Sequence, residues 1–306
     1  MFDNSDELHK IARHYPSASL CLRIAERDPE CTIDLSSKFG ASKTMTKELL
    51  KLARQLGLSI DGISFHVGTG AKNGEAYLHA LKDCRRIIDE AQEEGFKITL
   101  VDIGGGFTKE TFGHVGPLLQ DALLELLPRG VRIIAEPGRF LAQSAFTLAC
   151  KVIGRRTGEA IDTNEHDAKK MLYLGDGVYG NFMNVVMEKL DPVAYLMKQA
   201  KRRNMQHASI TSLHHYSLWG PTCDSMDKIS DDCTFGEEVD VEDWIYFPNM
   251  GGTYISPNSR MSLTFSSLYQ QHSDSVQWVS QAARSYIPKC IEVAFSGPVF
   301  RWAVGA

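Results

Sequence analysis

Two short strings in this chain have residue types and spacing that can do chemistry. Gly104, Gly105 and Gly106 follow the apolar run ITLVDI, and Glu136, Pro137, Gly138 and Arg139 follow the run RIIA. An apolar run that stops in glycines lets backbone N–H groups approach an anion closely, and the second run ends with a carboxylate and a guanidinium within one turn. Together they predict a site for a phosphorylated cofactor. Taken singly, each has a plainer reading: a glycine triplet is an ordinary loop, and Glu-Pro-Gly-Arg is an ordinary turn with its charges paired at the surface.

The elements that must position these residues follow an α/β rhythm. Gly106 and Glu136 lie about one strand-plus-helix unit apart, the repeat of an α/β barrel. Upstream, SLCLRIA (19–25) and SIDGISFHVG (59–68) read as two more strands, each followed by polar or Gly-rich turns and then a helix-like stretch. The clearest helix is predicted from about Thr44 to Leu58, with Leu49, Leu52, Ala53 and Leu56 as one apolar stripe. Chemistry-bearing residues therefore fall at the carboxyl ends of strands.

Composition narrows the class. A chain of 306 residues with 43% hydrophobic content buries a sizeable core, and its pattern suggests two domains. A net charge of -5 argues against nucleic acid, and the basic cluster Lys201, Arg202 and Arg203 reads as a solvated helix face. Seven cysteines without CxxC spacing suit a reducing compartment and suggest no metal site. No run approaches the ~18 apolar residues of a membrane span, and no charged-then-apolar leader opens the chain. The expectation is a soluble cytoplasmic protein.

From about residue 145 the pattern changes. SAFTLACKVIGRR reads as a strand and Thr157 to Lys170 as a loop; MLYLGDGVYGNF, HHYSLWGPTCD and DWIYFPNMGGTYI then read as short β-rich runs with Gly and Pro punctuation. Such density predicts a β-sandwich or small barrel. Residues 190–206 between them read as helical or irregular.

The strings HVGTG, VDIGGGF, AEPGRF, DGVYGNF, WGPTCD and FPNMGG occur in the order and approximate spacing that resembles the eukaryotic ornithine decarboxylases, over roughly residues 1–255. The resemblance implies a fold of α/β plus β type: about four of the eight units of an alanine racemase-like (β/α) barrel over 1–144, then a β-rich domain over 145–306. It implies pyridoxal 5'-phosphate as cofactor, and decarboxylation of L-ornithine or a related basic amino acid to a diamine and CO2. His66 would stack on the pyridine ring, and Thr69 with Gly104, Gly105 and Gly106 would cradle the phosphate. Glu136 would pair with the pyridine nitrogen, Arg139 would add a fixed cation at the phosphate, and Pro137 and Gly138 would shape the turn between them. Cys223 would govern protonation of the carbanion after CO2 leaves, and Asp224 would receive the distal amine. Both would come from a second subunit of a head-to-tail homodimer, with Lys38 and Asp227 paired across the interface.

His66 also reads as a hydrogen-bonded core residue, and Cys223 as a small buried hydrophobe.

This chain departs from the family pattern in several places. MFDNSDELHKIA matches the middle of the barrel, which implies that the first four strands and the Schiff-base lysine lie outside this sequence. Lys97 stands at the wrong end of a strand, and Lys109, just past the glycines, is at best a weak substitute. A fragment or misjudged start is the favoured explanation, ahead of self-association of a truncated paralogue or a partner chain carrying the other half. Glu188, preceded by Met187, takes the place of an aspartate that binds the distal amine; it reads equally as a surface helix residue. Tyr254 stands one residue later than the family's phosphate-contacting tyrosine, with Thr253 in its place, so a bulge must restore its register. Phe265 is a weak candidate for the aromatic that closes the substrate pocket. The runner-up reading is a non-catalytic regulator resembling antizyme inhibitor.

Overall fold

The computed structural model describes residues 1–26, 28–29, 31–70, 74–156, 170–197 and 213–252, together with the backbone of 276–280. Two compact units divide between Phe140 and Leu141.

In the first unit, strands β1 (Ser19–Ile24), β2 (Ser59–Phe65), β3 (Leu100–Asp102) and β4 (Arg132–Ile134) pair in that order, all parallel. Parallel pairing requires a crossover between consecutive strands, and each crossover here carries a helix. These are α2 (Thr46–Gln55), α3 (Glu75–Glu93) and α4 (Lys109–Leu126), with α1 (Ser5–His14) preceding β1. The predicted α2 is shorter at both ends than its apolar stripe suggested. Its buried face is Thr46, Leu49, Leu50 and Ala53, whereas Leu52 and Leu56 pack at the edge of the core. Leu50 belongs to this face because i, i+3, i+4 and i+7 share one side of a helix.

Helix α3 buries Ala76, Tyr77, Ala80, Leu81, Cys84, Ile87, Ile88 and Ala91 against Ile60, Ile63, Phe65, Val101 and their neighbours. Ahead of α1, Phe2 bridges in parallel to Leu22 on the outer edge of β1. The four strands run the same way, so the loops after β2, β3 and β4 leave from one edge. That edge gathers His66, the three glycines and Glu136.

Among the described residues the strands of the second unit pair into one sheet. Its order is β7 (Tyr195–Met197), β10 (Trp244–Phe247), β5 (Phe146–Arg156), β6 (Lys170–Leu174), β8 (His214–Trp219), β9 (Lys228–Phe235), with β11 (Val276–Ser280) also on β5. The eleven-residue β5 makes this possible: its first half pairs with β10 and β11, its second half with β6, and the register shifts between Val152 and Gly154. Leu148, Cys150, Val152, Leu172, Leu218, Ile245 and Phe247 form the core of this sheet.

Two expectations change here. Tyr195–Met197, expected to be helical or irregular, is a strand paired to β10, with Tyr195 and Tyr246 stacked at ring centres 5.1 Å apart. DGVYGNF is a turn leading into α6 (Met183–Glu188), because Asp176 captures its backbone donors. The expected loop 157–169 lies outside the described residues, as do Lys201, Arg202 and Arg203.

Candidate cofactor site

His66 is the first residue beyond β2, where the strand delivers its ring to the loop edge. Its Nδ1 accepts the Gly68 N–H at 3.1 Å, which places the ring proton on Nε2. Burial, and then the nearby Arg23 guanidinium, push its pKa down to about 4. The ring is therefore neutral near pH 7.

Beyond β3 the chain can pass beside His66 only as glycine. A Cβ on Gly104, at φ +64°, would lie 2.2 Å from the Phe65 carbonyl oxygen, and one on Gly106, at φ +92°, would lie 2.2 Å from that of Gly68. One on Gly105 would meet His66 Nε2 at 3.0 Å. The buried Tyr77 hydroxyl on α3 donates to the Gly105 carbonyl at 2.8 Å and so fixes which way the peptide faces. Neither the Gly105 nor the Gly106 N–H donates to another described residue. Two backbone donors without a described acceptor, just ahead of α4 whose cap is Thr108, are groups that an anion can engage. Thr69 is held nearby by its N–H to Ile33 and by the Thr32 N–H to its carbonyl, at 3.1 and 2.9 Å.

The turn after β4 is tied to the same glycines. The Glu136 N–H donates to the Gly104 carbonyl at 2.7 Å, and the Gly138 N–H to the Glu136 carbonyl at 2.8 Å, with Pro137 between. The Glu136 side chain is exposed; Arg139 is half-buried and opens the short helix α5 (Gly138–Ala142). The structure thus brings His66, Thr69, Gly104, Gly105, Gly106, Glu136, Pro137, Gly138 and Arg139 to one edge of one sheet.

Asp102 and Arg23 belong to this site and were missed in the sequence. Buried Asp102 accepts the Gly104 N–H at 2.9 Å, and burial lifts its carboxyl to about 6, with Glu136 adding to the rise and the Gly104 bond and Arg23 opposing it. Aspartate at a strand end ahead of the glycine turn was the available signal. Lys109 begins α4 and Lys97 precedes β3; both side chains are exposed.

Cys223, Asp224 and Glu188 lie in the second unit. Cys223 is exposed, between β8 and β9, which corrects its reading as a buried hydrophobe. Asp224 is exposed too; its Oδ1 accepts the Met226 N–H at 2.9 Å and its Oδ2 the Tyr179 hydroxyl. The Met226 bond first, then Tyr179, hold its carboxyl below the usual range. Glu188 ends α6 and is half-buried. Within this chain Asp227 is 1% exposed and accepts bonds from Val178 and Thr222 of its own unit. Lys38 lies over the Phe39 ring at 5.1 Å. Tyr254, Thr253 and Phe265 lie outside the described residues.

The parallel α/β sheet carries the glycine turn, the neutral histidine and the carboxylate turn on one edge, and a β-sheet unit follows it along the chain. Residues 1–143 match the family described as "Pyridoxal-dependent decarboxylase, pyridoxal binding domain", and the chain belongs to that family. It is 43% identical to ornithine decarboxylase of Neurospora crassa over 273 residues, 82% of this chain and 56% of that protein. It is 38% identical to antizyme inhibitor 2 of Xenopus laevis, over 85% of this chain and 58% of that protein. Among solved structures, the arginine decarboxylase of Paramecium bursaria Chlorella virus superposes with a TM-score of 0.73 at 34% identity, covering 83% of this chain and 65% of that one. The chain thus spans little more than half the length of the curated relatives it matches.

Proposed function

We propose that this chain carries one wall of a pyridoxal 5'-phosphate site that decarboxylates L-ornithine or a related basic amino acid to a diamine and CO2. The observation that carries the reading is the passage of Gly104, Gly105 and Gly106 beside His66, which no residue with a Cβ could make, with no described residue accepting the Gly105 or Gly106 N–H. Residues 1–144 form the cofactor half and 145–306 the half contributing substrate and dimer contacts.

When bound, the cofactor would act as a sink for the electron pair left on the carbon when CO2 departs. The residues of this chain bind and orient it. Gly104, Gly105, Gly106 and Thr69 hold the phosphate, and Arg139 adds a charge whose planar fork matches phosphate oxygens. His66, neutral near pH 7, stacks without placing a charge against the ring. Glu136 stands at the exposed rim, where a carboxylate holds the proton of a pyridine nitrogen. Tyr254 is proposed as a further phosphate contact.

Cys223 is proposed to protonate the carbon that loses CO2, and Asp224 and Glu188 to receive the distal amine. By family resemblance Cys223 and Asp224 serve the site of a second copy, in a head-to-tail homodimer with shared active sites. Among the described residues no helix is long and apolar enough to cross a membrane. The cytoplasm is proposed as the compartment on the sequence pattern of seven cysteines without CxxC spacing.

The antizyme inhibitor-like reading is not favoured, because a regulator without cofactor has no need of the glycine passage and the neutral His66 together. The test is titration of the full chain with pyridoxal phosphate, read by cofactor absorbance and by thermal stabilisation. Saturable binding lost in Gly105→Ala is expected. Absence of both signals in the wild-type chain overturns the cofactor reading. Release of CO2 from ornithine, lysine and arginine, assayed side by side, then ranks the substrates.

A further inference from the structure

In the second unit, two turns leave the same edge of the sheet, because β6 and β8 that precede them are parallel neighbours. One contains Gly177, Val178 and Tyr179; the other contains Gly220, Thr222, Cys223 and Asp224. Asp227 joins them. Its Oδ1 accepts the Val178 N–H at 2.8 Å, and its Oδ2 accepts the Thr222 N–H at 3.0 Å and the Thr222 hydroxyl at 2.7 Å. The Asp227 backbone carbonyl also accepts the Gly220 N–H at 2.8 Å. The approach is so close that a Cβ on Gly177 or on Gly220 would stand 2.1 Å from Oδ1.

The first turn is itself braced. Asp176, 9% exposed, accepts the Gly177 N–H at 2.8 Å, the Asn181 N–H at 3.2 Å and the Asn181 side-chain amide at 2.5 Å. Tyr179 is the residue after clamped Val178, and its hydroxyl donates to Asp224 Oδ2. Cys223 sits between clamped Thr222 and Asp224, so its backbone is held on both sides.

We propose that Asp227 is the positioning residue of the Cys223–Asp224 turn: its buried carboxylate clamps that turn to the Gly177–Tyr179 turn, bringing the Tyr179 hydroxyl onto Asp224 and fixing the direction in which Asp224 presents its charge. A buried carboxylate with three donors is suited to this, because losing any one acceptor leaves a buried donor unsatisfied. The role in substrate binding rests on Asp224 receiving the distal amine, as proposed above; the clamp itself does not.

The experiment uses the full chain with Asp227→Asn, Thr222→Val, Tyr179→Phe and Asp224→Asn. In Asp227→Asn only one oxygen remains to accept, and the amide nitrogen faces an N–H of one turn. The first readout is the tyrosinate absorbance that Tyr179→Phe removes. In the wild type Tyr179 titrates above an ordinary tyrosine, because it donates to the Asp224 carboxylate. In Asp227→Asn its midpoint falls back toward the ordinary value. A merely structural Asp227 would lower the melting temperature and leave the midpoint where it was, which overturns the proposal. Should Asp227→Asn fail to fold, Thr222→Val, which keeps both backbone bonds, decides by the same midpoint.

The second readout is calorimetric binding of 1,4-diaminobutane, expected to weaken about tenfold in Asp227→Asn and Tyr179→Phe. If the wild type or Asp224→Asn shows that the diamine does not bind at Asp224, the substrate reading fails while the titration still decides the clamp.

Discussion

The Tyr77 hydroxyl, buried on α3, donates to the Gly105 carbonyl at 2.8 Å and ties a core helix to the turn that faces the proposed phosphate. Tyr77 also stacks on Phe107 with ring centres 5.1 Å apart, so its ring and its hydroxyl do separate work. Tyr77→Phe keeps the stack and strands one buried carbonyl. Urea unfolding should show a loss of about 1–2 kcal/mol, and pyridoxal phosphate should bind more weakly. Unchanged stability and unchanged affinity would show that the hydroxyl orients nothing.

Two glycines separate steric need from helix propensity. Gly106→Ala places a methyl group against the Gly68 carbonyl at a φ of +92°, so pyridoxal phosphate binding should be lost and stability reduced. Gly113 lies inside α4, where an added Cβ would meet nothing within 4 Å, and Gly113→Ala should raise stability by about 0.5–1 kcal/mol with cofactor affinity intact. Melting curves with and without cofactor distinguish the two. Equal behaviour of the variants would contradict the steric account.

His66 acts as a neutral plate. His66→Phe, which preserves a flat ring, should retain cofactor binding within about threefold, whereas His66→Ala should weaken it about tenfold. In the wild type the effect of protonating His66 on affinity should appear only as pH falls toward about 4. A His66-dependent transition near pH 6.5, absent in His66→Phe, would refute the neutral form.

Glu26, at the end of β1, shares a buried niche with Asp83 of α3. Lys43 stands 2.6 Å from Asp83 and 3.9 Å from Glu26, and Arg86 3.7 Å from Asp83. Burial first, and the Asp83 carboxylate second, push Glu26 up to about 8. The folded state then holds a proton on Glu26 that the unfolded state releases above its ordinary value of 4.5. This contribution to stability is fully present below pH 4.5 and is lost as pH rises to about 8, by at most about 1.4 kcal/mol per pH unit. Denaturation of Glu26→Gln should lack this slope, and the gap between the variant and the wild type should widen across that window and level off above it. Parallel curves would place the titration elsewhere.

Much of the first unit was legible because its signals are local. Strands ending at Phe65, Asp102 and Ile134 read as apolar runs soon followed by Gly or Pro, and a turn that must admit close backbone approach has few spellings. β9 was not legible: KISDDCTF mixes charges with buried Ile229, Cys233 and Phe235, and only pairing with β8 makes it a strand. Nor was β7, three residues long, which exists through its partner β10.

The linear order of glycines, His66, Glu136 and Arg139 determined by itself that these residues would fall at strand ends, as the proposed cofactor site requires, since backbone access and residue chemistry are written residue by residue. Tertiary structure alone decided which nitrogen of His66 carries the proton, that burial and Arg23 keep its ring neutral, and that Asp227 is buried between two turns. Each of those depends on which groups are brought together and how much water is excluded from them. Both are properties of parallel strands meeting at one edge and not of any stretch of chain.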